Sequence, residues 1–155
     1  STMTRPPDGT CILGIDPGLS GGLAVVGQDL VECYKMPPTE KDVFSAIWEL
    51  LGRTKIRKAY IEKVHSMPRQ GVSSTFTFGT NYGGLRMALI ALEIPFEAVA
   101  PGVWQRTMGC LSKGDKNVTK QRAQELYPAL GRRITHATAD ALLIATFGSR
   151  QHDLP

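Results

Sequence analysis

The chain has 155 residues, of which 42% are hydrophobic and 21% charged, and its formal net charge is +4. This composition indicates one soluble globular domain, because no apolar run approaches the roughly 18 residues that a membrane helix needs. Three cysteines without metal-ligand spacing predict reduced thiols and argue against a zinc site or a disulfide scaffold. We expect residues 11–150 to form the domain, with tails at 1–10 and 151–155, in a cytosol that keeps thiols reduced.

The positive charge is concentrated in two blocks. Residues 53–69 carry six basic side chains against one acidic side chain, and residues 101–133 carry seven against two, so each block has a net charge of +5. Such blocks are common on solvated surfaces, but they also indicate a surface that binds a polyanion such as nucleic acid. The first block encloses a single carboxylate, Glu62.

The first half of the chain predicts strands that form a mixed sheet. Residues 11–26 contain a buried strand, a glycine-rich turn and a returning strand, and residues 30–35 form a third strand. A helix over 39–52 then leads to a short strand that ends at Glu62. The helix makes a right-handed crossover from the third strand to this one, and the prediction for the site is that the first and fourth strands lie adjacent and parallel.

The second half predicts four helices and a fifth strand. A helix to about residue 92 contains Gly79, Gly83 and Gly84 and buries an apolar set that includes Met87. A strand over 96–100, a short helix from Pro101 and a basic helix over 116–127 follow. A last helix over 135–148 is rich in alanine, which allows close packing on a sheet. The fold class is therefore α/β, with a five-stranded mixed sheet flanked by helices.

Three carboxylates are expected to converge. Asp16 ends the first strand, Glu62 ends the fourth, and Asp140 lies among the alanines of the last helix. Adjacent parallel strands end at the same sheet edge, where open α/β sheets bind ligands. Three clustered carboxylates repel one another, and a hard divalent cation such as Mg²⁺ relieves that repulsion. Two such ions about 4 Å apart would activate a water and stabilise the leaving oxygen in phosphodiester hydrolysis.

One histidine is a further candidate for this site. His136 lies one helical turn before Asp140 in the predicted last helix, so both side chains can share a face. A histidine there would serve as a metal ligand or would orient the attacking water.

Three motifs, in this order over residues 12–147, resemble the RuvC-like Holliday junction resolvases of the ribonuclease H-like superfamily: GIDPGLSGGLAVV, AYIEK and HATADALLIA. Two further segments are closer to the phage-type and organellar members, namely MPRQG and FTFGTNYGGL. The resemblance therefore implies bacterial or phage-infected cytoplasm, or an organelle, as the location. The resemblance implies a ribonuclease H-like fold and a crossover junction endodeoxyribonuclease. It also implies a homodimer that binds a four-way DNA junction and nicks two opposed strands symmetrically, with two Mg²⁺ or Mn²⁺ ions in each active site.

The resemblance also assigns metal ligands. Asp16, Glu62 and Asp140 match the family's metal-binding acids. The family's fourth acid or histidine usually lies three residues before the last aspartate. In this chain that position is Ala137, and His136 lies four residues before, so the identity of the fourth ligand stays open.

The resemblance further implies DNA contacts. The bacterial enzyme has an aromatic residue just after the glutamate, near the junction crossover, where this chain has His65; Met67, Pro68 or Phe76 would replace its wedging role. Equivalents of the connector that contains Lys113 and Lys116 contact DNA near the active site. The candidate DNA-binding residues are Lys63, His65, Arg69, Arg106, Lys113, Lys116 and Lys120.

Three other functions compete with junction cleavage. The same fold could cleave another substrate, such as an RNA–DNA hybrid or branched DNA. A sugar-kinase or actin-like phosphate loop also begins with a similar motif, but those proteins need two such domains. A junction-binding protein without catalysis would follow if the departure at Ala137 had abolished metal binding.

Overall fold

A computed structural model of the chain describes residues 9–64 and 71–153. Within these residues the chain forms five strands: β1 (Thr10–Asp16), β2 (Gly22–Gly27), β3 (Val31–Lys35), β4 (Lys55–Glu62) and β5 (Phe96–Val99). The same residues form five α-helices: α1 (Glu40–Arg53), α2 (Val72–Ala91), α3 (Pro101–Thr107), α4 (Lys116–Leu126) and α5 (Ala139–Asp153). A 3₁₀ helix spans Pro128–Arg133.

The strands form one mixed sheet in the order β3-β2-β1-β4-β5. β1 and β2 pair antiparallel, as do β2 and β3, whereas β4 is parallel to both β1 and β5. This topology confirms the predicted five-stranded mixed sheet and the predicted pairing of the first and fourth strands. The C-terminal ends of β1, β4 and β5 therefore lie at one edge of the sheet.

Helices cover both faces of the sheet. Leu13 of β1 lies in the core layer that α1 and α2 close, whereas Ile12 and Tyr60 lie in the layer beneath α5. Side chains alternate between the two faces along a strand. Asp16 and Glu62 share the parity of Ile12 and Tyr60, so both emerge on the face that α5 covers.

Helix α5 packs directly on β1. A Cβ atom at Gly14 would overlap Ala141 O and Ala145 N and would lie 2.7 Å from Ala145 Cβ. Both alanines are fully buried, in agreement with the close packing that the alanine-rich sequence predicts. This close approach holds the first turn of α5, which includes Asp140, near the end of β1.

Helix α5 begins later and ends later than predicted, because it runs from Ala139 to Asp153 rather than over 135–148. The hydroxyl of Thr135 accepts a hydrogen bond from Ala137 N (3.1 Å), and Thr135 N donates to the hydroxyl of Thr138 (2.9 Å). With the 3.2 Å bond from Thr138 N to Thr135 O, these local bonds hold residues 136–138 in a turn ahead of α5. The prediction that His136 and Asp140 share one face of the last helix was therefore wrong, because His136 lies in this turn and not in α5.

One residue of α2 that was predicted to be buried is exposed. Leu85 and Leu89 are buried as expected, but Met87 is 61% exposed. Two residues correspond to about 200° around a helix, so Met87 points away from the face that contains Leu85 and Leu89. The described ranges contain no helix with both the length and the apolar character needed to cross a lipid bilayer.

Candidate active site

The three predicted acids lie at the C-terminal edge of the parallel strands. Ile15 pairs with Ile61 in the register of β1 and β4, so Asp16 and Glu62 follow on neighbouring strands. Asp140 enters from the first turn of α5. Asp16 and Asp140 are only 6% and 7% exposed, and Glu62 is half-buried. The structure therefore brings together all three acids that the sequence selected.

Burial and mutual repulsion disfavour the charged form of these acids. Burial, together with repulsion by Asp140 and Glu62, holds the pKa of Asp16 well above its usual range despite the attraction of Lys116. Burial also raises the pKa of Glu62; the hydrogen bond from Trp104 opposes this rise, and repulsion by Asp140 adds to it. The edge thus concentrates negative charge that a cation would stabilise.

Lys116 brings a positive charge to these carboxylates. Its ammonium Nζ lies 3.5 Å from Asp140 Oδ2 and 4.0 Å from Asp16 Oδ2. Burial works against its charge, but attraction by Asp16, Asp140 and Glu62 outweighs burial and raises the pKa of Lys116. The sequence had selected Lys116 only as a DNA-binding residue. The structure adds a direct contact with the acids.

The aspartates have oxygens that suit a divalent cation. Asp16 Oδ2 and Asp140 Oδ1 are buried and have no hydrogen-bond partner within the described residues. No group of three or more His, Cys, Asp or Glu side chains in residues 9–64 and 71–153 is arranged to hold a metal ion by itself. Mg²⁺ usually takes one or two carboxylates and completes its shell with water and phosphate oxygens, so Asp16 and Asp140 fit this ion. The ligand roles of Asp16, Glu62, Asp140 and His136 all stay predictions.

Glu62 is oriented by a tryptophan that the sequence analysis did not select. Trp104 of α3 is fully buried, and its Nε1–H donates a 2.9 Å hydrogen bond to Glu62 Oε2. A buried indole N–H usually needs an acceptor, so the buried tryptophan itself was a signal. Its acceptor lies 42 residues away in sequence and depends on how α3 packs.

The turn after Asp16 is held by helix α2. Gly18 has φ +101°, and a Cβ atom there would lie 3.0 Å from the Phe78 ring. Gly18 N also donates a 2.7 Å hydrogen bond to Oδ1 of Asn81, which is 7% exposed. A polar residue on the buried face of α2 was the available signal for this contact. Asn81 therefore positions the turn that follows Asp16.

His136 is exposed and lies on the turn that precedes α5. Its Nε2 is 2.9 Å from Oδ1 of Asn117, the residue next to Lys116 in α4. The structure thus places His136 next to α4.

The candidate DNA-binding residues are distributed over several segments. Lys63 is exposed directly after β4, Arg106 is exposed on α3, and Lys113 is exposed in the connector between α3 and α4. Lys120 lies on α4, one turn beyond Lys116. Phe76 is 75% exposed on α2. Four predicted residues, His65, Met67, Pro68 and Arg69, lie outside the described residues.

The raised pKa of Asp16 predicts how stability depends on pH. The folded state holds the proton of Asp16 more tightly than the unfolded state, so this carboxyl stabilises the fold below its unfolded pKa of about 4. That stabilisation is lost as pH rises through the folded pKa. We expect metal-free Asp16→Asn protein to match wild type near pH 4 and to melt roughly 2–4 °C higher at pH 8. Thermal denaturation across this range measures the difference.

The same variant tests cation binding without any activity assay. Mg²⁺ or Mn²⁺ at pH 8 should raise the melting temperature of wild type more than that of Asp16→Asn, because a ligand that binds only the folded state stabilises it. An equal rise in both proteins would show that Asp16 does not bind the ion.

No protein-family model and no curated protein sequence matches the chain. Solved structures do match it. RuvC of Thermus thermophilus, in complex with a Holliday junction substrate, is 21% identical with a TM-score of 0.67, over 92% of this chain and 94% of that one. The yeast mitochondrial Holliday junction resolvase Ydc2 is 15% identical with a TM-score of 0.59, over 92% and 78%. The fowlpox virus resolvase, solved with Holliday junction DNA, is 14% identical with a TM-score of 0.52, over 90% and 99%. The chain therefore has the RuvC-like form of the ribonuclease H-like fold.

Proposed function

We infer that the chain is a metal-dependent endonuclease that resolves four-way DNA junctions by paired, symmetric nicks. The observation that carries this inference is the pair of buried carboxylates of Asp16 and Asp140 beside Lys116 at the sheet edge, each with one oxygen that has no hydrogen-bond partner among the described residues. The similarity of the whole fold to solved Holliday junction resolvases supports the choice of substrate. Two Mg²⁺ or Mn²⁺ ions per site complete the proposal.

Each residue of the site has a distinct task. Asp16 and Asp140 each present a buried oxygen that a divalent cation would stabilise, and Trp104 holds Glu62 towards the same edge. Lys116 partly neutralises the aspartates before substrate binds, and its half-exposed ammonium can then contact a phosphate oxygen. The bound ions would activate a water and stabilise the leaving oxygen.

Paired nicking needs two copies of the site, so we infer a homodimer. Helix α2 exposes apolar side chains that a second copy could cover. Phe76, Met87 and Ile90 are 75%, 61% and 54% exposed. Exposed apolar residues concentrated on one helix are typical of an interaction surface.

The substrate is tested with a synthetic four-way junction, a linear duplex, an RNA–DNA hybrid and a splayed fork, each in Mg²⁺ and in Ca²⁺. We expect nicking of the junction in Mg²⁺, and binding without nicking in Ca²⁺. Cleavage of the hybrid or the fork in preference to the junction would instead indicate another nuclease on this fold. Binding of the junction without nicking in both Mg²⁺ and Mn²⁺ would indicate a junction-binding protein.

His136 is expected to contribute to the rate. His136→Ala should lower the rate of junction nicking at least about tenfold, the usual scale for losing a group that moves a proton or orients a water. Single-turnover nicking with saturating protein measures this rate. Asn117→Ala is the matched control, since it removes the partner of the ring but keeps the imidazole. An unchanged rate in His136→Ala would give His136 a structural role only.

A further inference from the structure

A groove of about 600 Å³ lies between α4 and the 3₁₀ helix. Its inner part contains the half-buried Tyr127 and the buried Ile134. Four polar side chains also line it, namely Lys120, Gln124, Arg132 and Thr135. A groove of this volume takes a group the size of a nucleotide.

The backbone of the 3₁₀ helix shapes one wall. Gly131 has φ +54° and ψ −122°, a backbone conformation that residues other than glycine rarely adopt. No atom lies within 4 Å of its Cβ position, so the conformation rather than lack of space favours glycine. This bend precedes Arg132 directly and sets where its side chain leaves the backbone.

The groove has unneutralised positive charge. No carboxylate lines it, and neither Lys120 nor Arg132 forms an ion pair with any acid in residues 9–64 and 71–153. On the same helix, Arg122 does pair with Glu125 at 3.3 Å. A groove with two unpaired cations and an apolar floor suits an anion that carries an apolar part, as a nucleotide does.

The groove and the carboxylate edge are linked through α4. Lys120 lies four residues after Lys116 on α4. The hydrogen bond between Asn117 and His136 connects the start of α4 to the residue that follows Thr135. Four helical residues rise about 6 Å, whereas one DNA strand rises 3.4 Å per nucleotide. A strand whose phosphate contacts Lys116 would therefore reach the groove within about two nucleotides.

We propose that this groove binds the backbone phosphates of the DNA strand that adjoins the cleaved phosphodiester, with Lys120 and Arg132 as their ligands. The proposal rests on the proposed function and adds a binding surface to it. Lys120 in the groove lies one turn of α4 after Lys116, which contacts the carboxylates, so a continuous strand rather than a free nucleotide is the occupant.

Binding of a fluorescent four-way junction in Ca²⁺ tests the groove. Lys120→Ala and Arg132→Ala should each weaken binding roughly three- to tenfold. Each should also reduce the slope of log Kd against log salt concentration by about 0.9, the value for one lost phosphate contact. Lys55→Ala is the matched control, because Lys55 is an exposed basic residue at the start of β4, the end of the strand opposite Glu62. It should bind with the affinity and salt slope of wild type.

Replacing single charged phosphates of the junction with neutral linkages locates the contact. Each junction in the set contains one methylphosphonate linkage, which lies within four nucleotides of the crossover. We expect at least one linkage to weaken binding by wild type but not by Arg132→Ala, because that variant has already lost the contact. Wild-type affinity and slope in the Lys120→Ala, Arg132→Ala double variant would overturn the groove proposal alone. Failure of wild type to bind any junction would overturn the proposed function as well.

Discussion

Asp16→Asn is expected to leave junction binding intact and to lower the rate of nicking by at least roughly 10³-fold. Asp16 is 6% exposed, and its Oδ2 has no hydrogen-bond partner among the described residues, so its charge is costly unless a cation neutralises it. The amide is almost isosteric but lacks this charge. Single-turnover nicking in Mg²⁺ and binding in Ca²⁺ separate the two effects.

The exposed Asp29, in the turn between β2 and β3, offers a matched control for the same chemical change. Asp29→Asn should nick and bind as wild type does. A wild-type nicking rate in Asp16→Asn would remove Asp16 from the proposed metal site, whatever its effect on stability.

Gly14→Ala is expected to destabilise the fold by about 3 kcal/mol or more. The added methyl group would overlap backbone atoms of Ala141 and Ala145, and backbone cannot rotate away as a side chain can. Helix α5 would have to move off β1, and Asp140 would move with it. For a chain of this length the melting temperature should fall by roughly 6–12 °C. Thermal denaturation measures this loss, and nicking should fall in parallel.

Gly79→Ala is the control for this substitution. Gly79 lies inside α2 with no atom within 4 Å of its Cβ position, so alanine fits there. Replacing a helical glycine with alanine should stabilise the protein by about 0.5–1 kcal/mol. Equal stability of Gly14→Ala and Gly79→Ala would contradict the close packing of α5 on β1.

Much of the site follows from local sequence patterns. The apolar runs before Asp16 and Glu62 predict two strands, and a helical crossover from the third strand to the fourth allows the first and fourth to run parallel. Alternation along each strand then places both carboxylates on one face and at one edge. The alanines around Asp140 predict a helix that lies close to that face. These inferences need only strand periodicity, crossover handedness and residue size.

One error also had a local signal. The threonines at 135 and 138 bond to backbone groups of their own turn and delay the start of α5 to Ala139. Threonine commonly competes with helical hydrogen bonds in this way. His136 consequently pairs with Asn117 from a turn, and helical spacing was the wrong basis for relating it to Asp140.

The turn after Asp16, the strand-end glutamate and the alanine-faced helix were determined by the sequence itself, because each depends on neighbours within a few residues. Only the tertiary structure decided their partners. Lys116 reaches Asp16 from 100 positions away, Trp104 reaches Glu62 from 42, and Asn81 reaches Gly18 from 63. Such contacts depend on how α2, α3 and α4 pack against the sheet, and no periodicity in the chain encodes that packing.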